Sequence, residues 1–279
     1  MFTSRAARCF LSLLTIMIGS GATLRAQTDG VDYEKILLPV VLFQPVAGAA
    51  DSLWTTDFWI RNGAGQPVGI FPYDWLLCSI NVCVPEVPPP PPTPSGISFR
   101  PITGGDRGLF LFVDRRYAGD VSFELRCRDT SRQGSTWGTE IPVVRESQFR
   151  SGRLMLMDVP TSSAFRRALR IYGLRTSGSG DVVVRIYGIE PGLRSPFHPE
   201  ARADELLGEA IVHLNAPDPN FFPVYPLYAD VGDLGSVAPV GSHERIAVEV
   251  APLTPELPIW AFISIVHNET QHLTVISPH

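Results

Sequence analysis

Proline and glycine interrupt this chain so often that long helices have little room to form. The 279 residues include 26 prolines and 24 glycines, scattered among short apolar runs. Proline removes a backbone donor and fixes φ, while glycine permits the tight turns that join strands. Short runs rich in Val, Ile, Phe, Trp and Thr, separated by such residues, read as an all-β architecture. Hydrophobic residues make up 44% of the chain and charged ones 18%, enough apolar material for a packed core.

The runs can be followed along the chain. "KILLPVVLF" (35–43) and "SLWTTDFWIRN" (52–62) are both rich in strand formers, and the second places Trp54, Thr56, Phe58 and Ile60 on one face. "RNGAGQP" then supplies turn chemistry, and "PVGIFPYDWLL" resumes an extended run. The segment "VPEVPPPPPTPSG" (84–96) holds five consecutive prolines and cannot be a central strand. It reads as a stiff loop of about 3.1 Å per residue rather than a ligand for proline-binding modules. "GISFRPI", "RGLFLFVD", "DVSFELRCRD", "TEIPVVRE" and "GRLMLMDV" follow at the short spacing of a β-sandwich.

A second unit starts near Pro160. "TSSAFRRAL" reads as a helical turn, and "PEARADELLG" as a short helix begun by Pro199. Between them the tetrapeptide RIYG occurs twice, at 170–173 and 185–188. A two-residue loop Gly178–Ser179 would pair the copies as a hairpin, setting Ile171 opposite Ile186, Arg170 opposite Tyr187 and Tyr172 opposite Arg185. One face would then carry Leu169, Ile171, Val182, Val184 and Ile186 into the core. The other would carry two crosswise Arg–Tyr pairs, a candidate binding face of Arg170, Tyr172, Arg185 and Tyr187. "GEAIVHL" reads as a strand, "APDPNFFPVYPLYADVGDLG" as a long loop or edge strand, and "ERIAVEV" as a strand with Ile246, Val248 and Val250 on one side. "IWAFISIVH" and "HLTVIS" close a hairpin around "NETQ".

Arg5, Arg8, the apolar run Phe10–Ile18 and small residues up to Ala22 or Ala26 read as a cleaved signal peptide, residues 1–26. Its loss removes three of the 23 basic and none of the 28 acidic residues, so the net charge falls from −5 to −8. An acidic exported chain is a poor partner for nucleic acid. No later run is long enough to span a bilayer as a helix, so no membrane span is expected in the mature chain. Lys35 is the sole lysine, which leaves the C-terminal half without a donor for a Lys–Asn isopeptide cross-link. Cys78 and Cys83, in "CSINVC", are placed to staple a small loop in an oxidising compartment, and Cys127 is left over as a buried thiol.

The chemical candidates are few. His267 and His272 would stand opposite each other across the last hairpin, with Cβ atoms about 5 Å apart. Two imidazoles fall short of the three protein ligands a zinc site needs, so they form only a weak metal candidate. Asn268-Glu269-Thr270 is a glycosylation sequon. All six histidines lie at 198 or later and no Gly-x-Ser-x-Gly occurs, so a nucleophilic triad has no local signature. "TGGDRG" (103–108) lacks the strand–loop–helix context of a phosphate cradle. Asp51, Asp57 and Asp74 fall among Trp54, Trp59 and Trp75, a composition suited to stacking on sugar rings.

"SLWTTDFWIRNGAGQPVGIF" and "WAFISIVHNETQHLTVISP" resemble the opening and closing strands of exported bacterial proteins built from immunoglobulin-like or fibronectin-like β-sandwiches. The resemblance implies fold and export and brings no catalytic residues. The expectation is therefore an all-β chain of two tandem immunoglobulin-like sandwiches, residues 31–158 with the proline-rich loop 84–96, and residues 159–279. The expected function is that of a secreted, non-enzymatic interaction or structural module without a cofactor, meeting a protein or glycan outside the cytoplasm. The alternative is a carbohydrate-binding module using Trp54, Trp59 and Trp75, and the third reading is metal binding at His267 and His272.

Overall fold

Strand alternation dominates the structure, a computed structural model that describes residues 32–42, 44–71, 92–99, 107–132, 137–189, 205–216, 225–240 and 243–278. Seventeen strands form among these residues: β1 (Tyr33–Leu38), β2 (Val46–Ala47), β3 (Leu53–Asn62), β4 (Ile70–Phe71), β5 (Gly96–Phe99), β6 (Leu109–Asp114), β7 (Val121–Asp129), β8 (Thr139–Ile141) and β9 (Val144–Arg145) in the first half. The second half holds β10 (Leu154–Pro160), β11 (Phe165–Gly173), β12 (Ser179–Ile189), β13 (Glu205–Asn215), β14 (Leu227–Val231), β15 (Arg245–Pro252), β16 (Ile259–His267) and β17 (Leu273–Ile276). The chain is all-β, and the only helical elements among the described residues are 3₁₀ turns. No helix among the described residues is long and apolar enough to cross a membrane.

Three antiparallel sheets result, with strand orders β4-β6-β1-β9, β2-β3-β7-β8 with β5 added alongside β3, and β10-β15-β12-β13-β14-β11-β16-β17. Two apolar cores hold them. The first joins Ile36 and Leu38 of β1, Phe58 and Ile60 of β3, Phe110 of β6 and Leu125 of β7 with Tyr172, Trp260 and Phe262 of β11 and β16. Ile36, Leu37 and Leu38 are all fully buried, so β1 is covered on both faces. The second core lies inside the eight-stranded sheet and includes Leu156, Ile171, Val184, Ile186, Val248 and Ile263. That sheet curls back on itself. Met157, Asp158 and Pro160 of its first strand and Thr274, Val275 and Ile276 of its last line one open groove of about 450 Å³.

The alternation read from the sequence matches the burial. Phe58 and Ile60 are fully buried on one face of β3, and Leu169, Ile171, Val182, Val184, Ile186, Ile246, Val248 and Val250 all point into the second core. The pairing differs from expectation. β11 and β12 are not hairpin partners: β11 pairs with β14 and β16, and β12 with β13 and β15. The nine-residue ladder from Phe165↔His267 to Gly173↔Ile259 outweighs the local turn signal of Gly178, which keeps its positive φ of 81° in the connection.

Other expectations shift as well. Phe165–Leu169 begins β11 instead of a helical turn, and Glu205–Gly208 begins β13 instead of ending a helix. In both, helix-forming residues are drawn into long ladders that a short helix cannot match. β14 pairs with β11 along its length and meets β13 at Asn215↔Tyr228, so it is interior to the sheet. β10 runs through residues 158 and 159, and its partner is β15. Residues Tyr33–His279 cluster as one compact unit containing both cores.

Candidate functional site

The outer face of the β5-β3-β7-β8 sheet is the site best defined by the strand pattern. In β3 the even positions point into the first core, which sends Asp57, Trp59 and Arg61 outward. Trp59 is 40% exposed, unusual for a large aromatic on a strand paired along both edges. Across β5, Ile97 stands directly opposite Arg61 and is 73% exposed. Across β7, Glu124 is opposite Trp59 and Ser122 opposite Arg61.

The charges on this face are ordered. Glu124 accepts from Arg126 Nε at 2.5 Å, and Glu140 on β8 lies 4.0 Å from the same guanidinium. Arg128 Nε is 2.8 Å from Asp57 Oδ2, an ion pair whose N–H points off the hydrogen-bond line. Each acid thus has a cation beside it. Arg61 is exposed and has no acidic partner among the described residues.

The expected binding face of Arg170, Tyr172, Arg185 and Tyr187 is not assembled, because two strands separate β11 from β12 in the sheet. Tyr172 is fully buried, its ring parallel to Phe262 at 6.3 Å between centroids, and burial holds its phenol well above the ordinary value. Arg170 lies beside Tyr172, Tyr228 and Asp230, its Nε 3.9 Å from the Asp230 carboxylate. Arg185 is opposite Glu249 on β15 and Glu209 on β13, and binds both, at 2.7 and 3.0 Å. The crosswise Arg–Tyr stacks are therefore replaced by a Glu–Arg–Glu row across three strands. Tyr187 is half-buried opposite Ala247 and Leu206.

The three tryptophans of the sugar reading do not form one platform. Trp54 faces inward, donating from Nε1 to Ser52 Oγ at 3.0 Å, whereas Trp59 faces outward. Five positions apart on one strand means opposite faces. Trp75 lies outside the described residues, as do Cys78, Cys83 and most of the proline-rich loop. Arg61 and Ile97 were not singled out in the sequence, although Arg61 shares the parity of Trp59. Trp137, 84% exposed before β8, was likewise missed.

The last hairpin forms as expected, with Val266 opposite Leu273 and the His267 amide donating to the His272 carbonyl at 3.0 Å. The turn is a hydrogen-bonded lock. His267 Nδ1 accepts from the amides of Glu269 and Thr270 at 3.2 and 3.3 Å, and its ring meets Phe165 edge-on. Arg166 donates to Asn268 Oδ1 and to Gln271 Oε1, while Asn268 Nδ2 donates to the Ser163 carbonyl at 2.7 Å. The sequon asparagine is thus engaged in the turn. Among the described residues no three His, Cys, Asp or Glu side chains stand together as a metal site.

Cys127 is a free thiol in the first core, and burial pushes it up to about 12. Asp129 closes the start of β3. Burial raises its carboxyl, but hydrogen bonds from Ser131 Oγ, the Leu53 amide and Arg132 outweigh burial and bring it to about 2.

No family model matches this chain, and no curated protein or solved structure matches it either.

Proposed function

We propose that this chain is an exported, non-enzymatic interaction module that meets its partner on the outer face of the β5-β3-β7-β8 sheet. The carrying observation is the exposed pair Trp59 and Ile97 flanking Arg61, at a stretch of β3 that is paired on both edges. Aromatic and arginine side chains are the anchors that most often concentrate binding energy. The ion pairs of Asp57, Glu124 and Glu140 form a polar surround. The N-terminal arginines and apolar run support export.

A photo-crosslinking residue at position 97, compared with one at exposed Ile211 on β13, tests the face. Incubated with the native exoproteome and cell-envelope material, position 97 gives specific adducts that Trp59→Ala abolishes, and position 211 gives none. Equal labelling at the two positions, or adducts indifferent to Trp59→Ala, would refute the proposal.

A further inference from the structure

We infer that the partner of the Trp59 face is an anionic saccharide, a polymer carrying uronate-type sugars. The inference rests on the interaction reading above and names the chemistry of its ligand.

The first support is charge. Three cations and three acids share the face, but they are not evenly matched. Arg126 serves Glu124 and Glu140, and Arg128 serves Asp57. Arg61 is left with no acidic partner among the described residues. The corner of Trp59, Arg61, Ile97 and Ser122 is therefore locally cationic on an acidic chain. A guanidinium offers a planar fork of donors that fits a carboxylate with two parallel hydrogen bonds.

The second support is spacing. Trp59 and Arg61 lie two residues apart on the same side of β3, about 7 Å along the strand. A pyranose ring stacked on the indole would place a carboxylate on that ring or its neighbour within reach of the guanidinium. The indole supplies a π-face for the ring's C–H groups. Ser122, opposite Arg61, adds a hydroxyl for the ring oxygens, and the Asp57 and Glu124 carboxylates keep free lone pairs for sugar hydroxyls.

The third support separates a saccharide from an acidic peptide. At Trp59 and Arg61 themselves β3 is paired with β7 on one edge and with β5 on the other, so these two residues offer no backbone edge for an added peptide strand. What Trp59 and Arg61 present is a pleated face read by side chains. A flat ring polymer suits such a face better than a peptide does, since a peptide there would leave its own amides unpaired.

The test uses the purified mature chain in affinity gel electrophoresis with polygalacturonate, neutral dextran or polyglutamate cast in the gel. Polygalacturonate is expected to retard the protein, and dextran and polyglutamate to leave its mobility unchanged. Trp59→Ala should weaken retardation at least about tenfold. Arg61→Gln should weaken it several-fold and remove most of its dependence on salt. Both side chains are exposed, so unchanged thermal midpoints will show that the variants fold. An Ile211→Ser variant, on a different face, should bind as the parent does. No retardation by polygalacturonate, retardation unchanged in Trp59→Ala, or equal retardation by dextran overturns the inference. Stronger retardation by polyglutamate also overturns it, in favour of an acidic polypeptide. If polygalacturonate fails while position 97 still crosslinks a partner, only the saccharide assignment falls. If both fail, the interaction face falls with it.

Discussion

The phenol of Tyr172 donates to the carbonyl of Pro39 at 2.5 Å, joining β11 to the segment that follows β1. The ring sits among Tyr228, Trp260 and Phe262, so this hydrogen bond is made in a dry aromatic setting. Room for the ring comes from Gly108, whose φ is +81° and where a Cβ would stand 2.9 Å from Tyr172 Cε1. Tyr172→Phe keeps the stack but strands the carbonyl. It should cost about 1–3 kcal/mol, seen as a lower denaturant midpoint with an unchanged slope.

Asp129 links stability to acid. Its carboxyl titrates near 2 in the folded chain against 3.8 ordinarily. A depressed folded value stabilises the fold above the ordinary value, and that contribution disappears as pH falls through about 4 toward 2. Replacing it with asparagine should therefore lower stability at pH 7 by about 2 kcal/mol and leave it nearly unchanged at pH 2. Urea melts of parent and Asp129→Asn at the two pH values, compared at equal ionic strength, read the difference directly.

Cys127 should resist alkylation in the native state, because a thiolate would have to form inside the first core. If Cys78 and Cys83 are bridged as the sequence reading expects, the chain without its first 26 residues exposes one reactive thiol in guanidinium without reductant. Mass spectrometry after iodoacetamide counts the adducts, and three adducts would rule out the bridge.

Arg166→Ala should loosen the 268–272 turn. Gln271 is 1% exposed and holds a φ of +55°, and Arg166 supplies the donor to its Oε1 at 2.7 Å. Losing that donor leaves a buried carbonyl unpaired, at about 1–3 kcal/mol. Hydrogen exchange of the Gln271 amide, which donates to the His267 carbonyl, should quicken more than that of the β11 interior.

The inward residues of β3, β12 and β15 were legible because period-two alternation states which side chains share a face. Alternation does not name the neighbouring strand. The two RIYG copies both read as strand with the correct inner face, yet their partners lie on β13, β14, β15 and β16, far along the chain. The last hairpin, closed by five residues, had its partner within local reach, as did the short pairing of β2 with β3. The site was half visible. Trp59 stood out by type, but grouping it with Trp54 ignored their opposite parity. Ile97, beyond the proline run, meets Arg61 only through a long-range register.

Lys35, the sole lysine, carries a final consequence. Its amine caps the Leu174 carbonyl at 3.3 Å and leans over Phe110, and the bond that follows it enters fully buried Ile36, paired with both β6 and β9. A lysine-specific protease therefore has a single scissile bond, held in the middle of a four-stranded sheet. Its cleavage rate becomes a clock for wholesale opening of the protein, free of background from frayed loops.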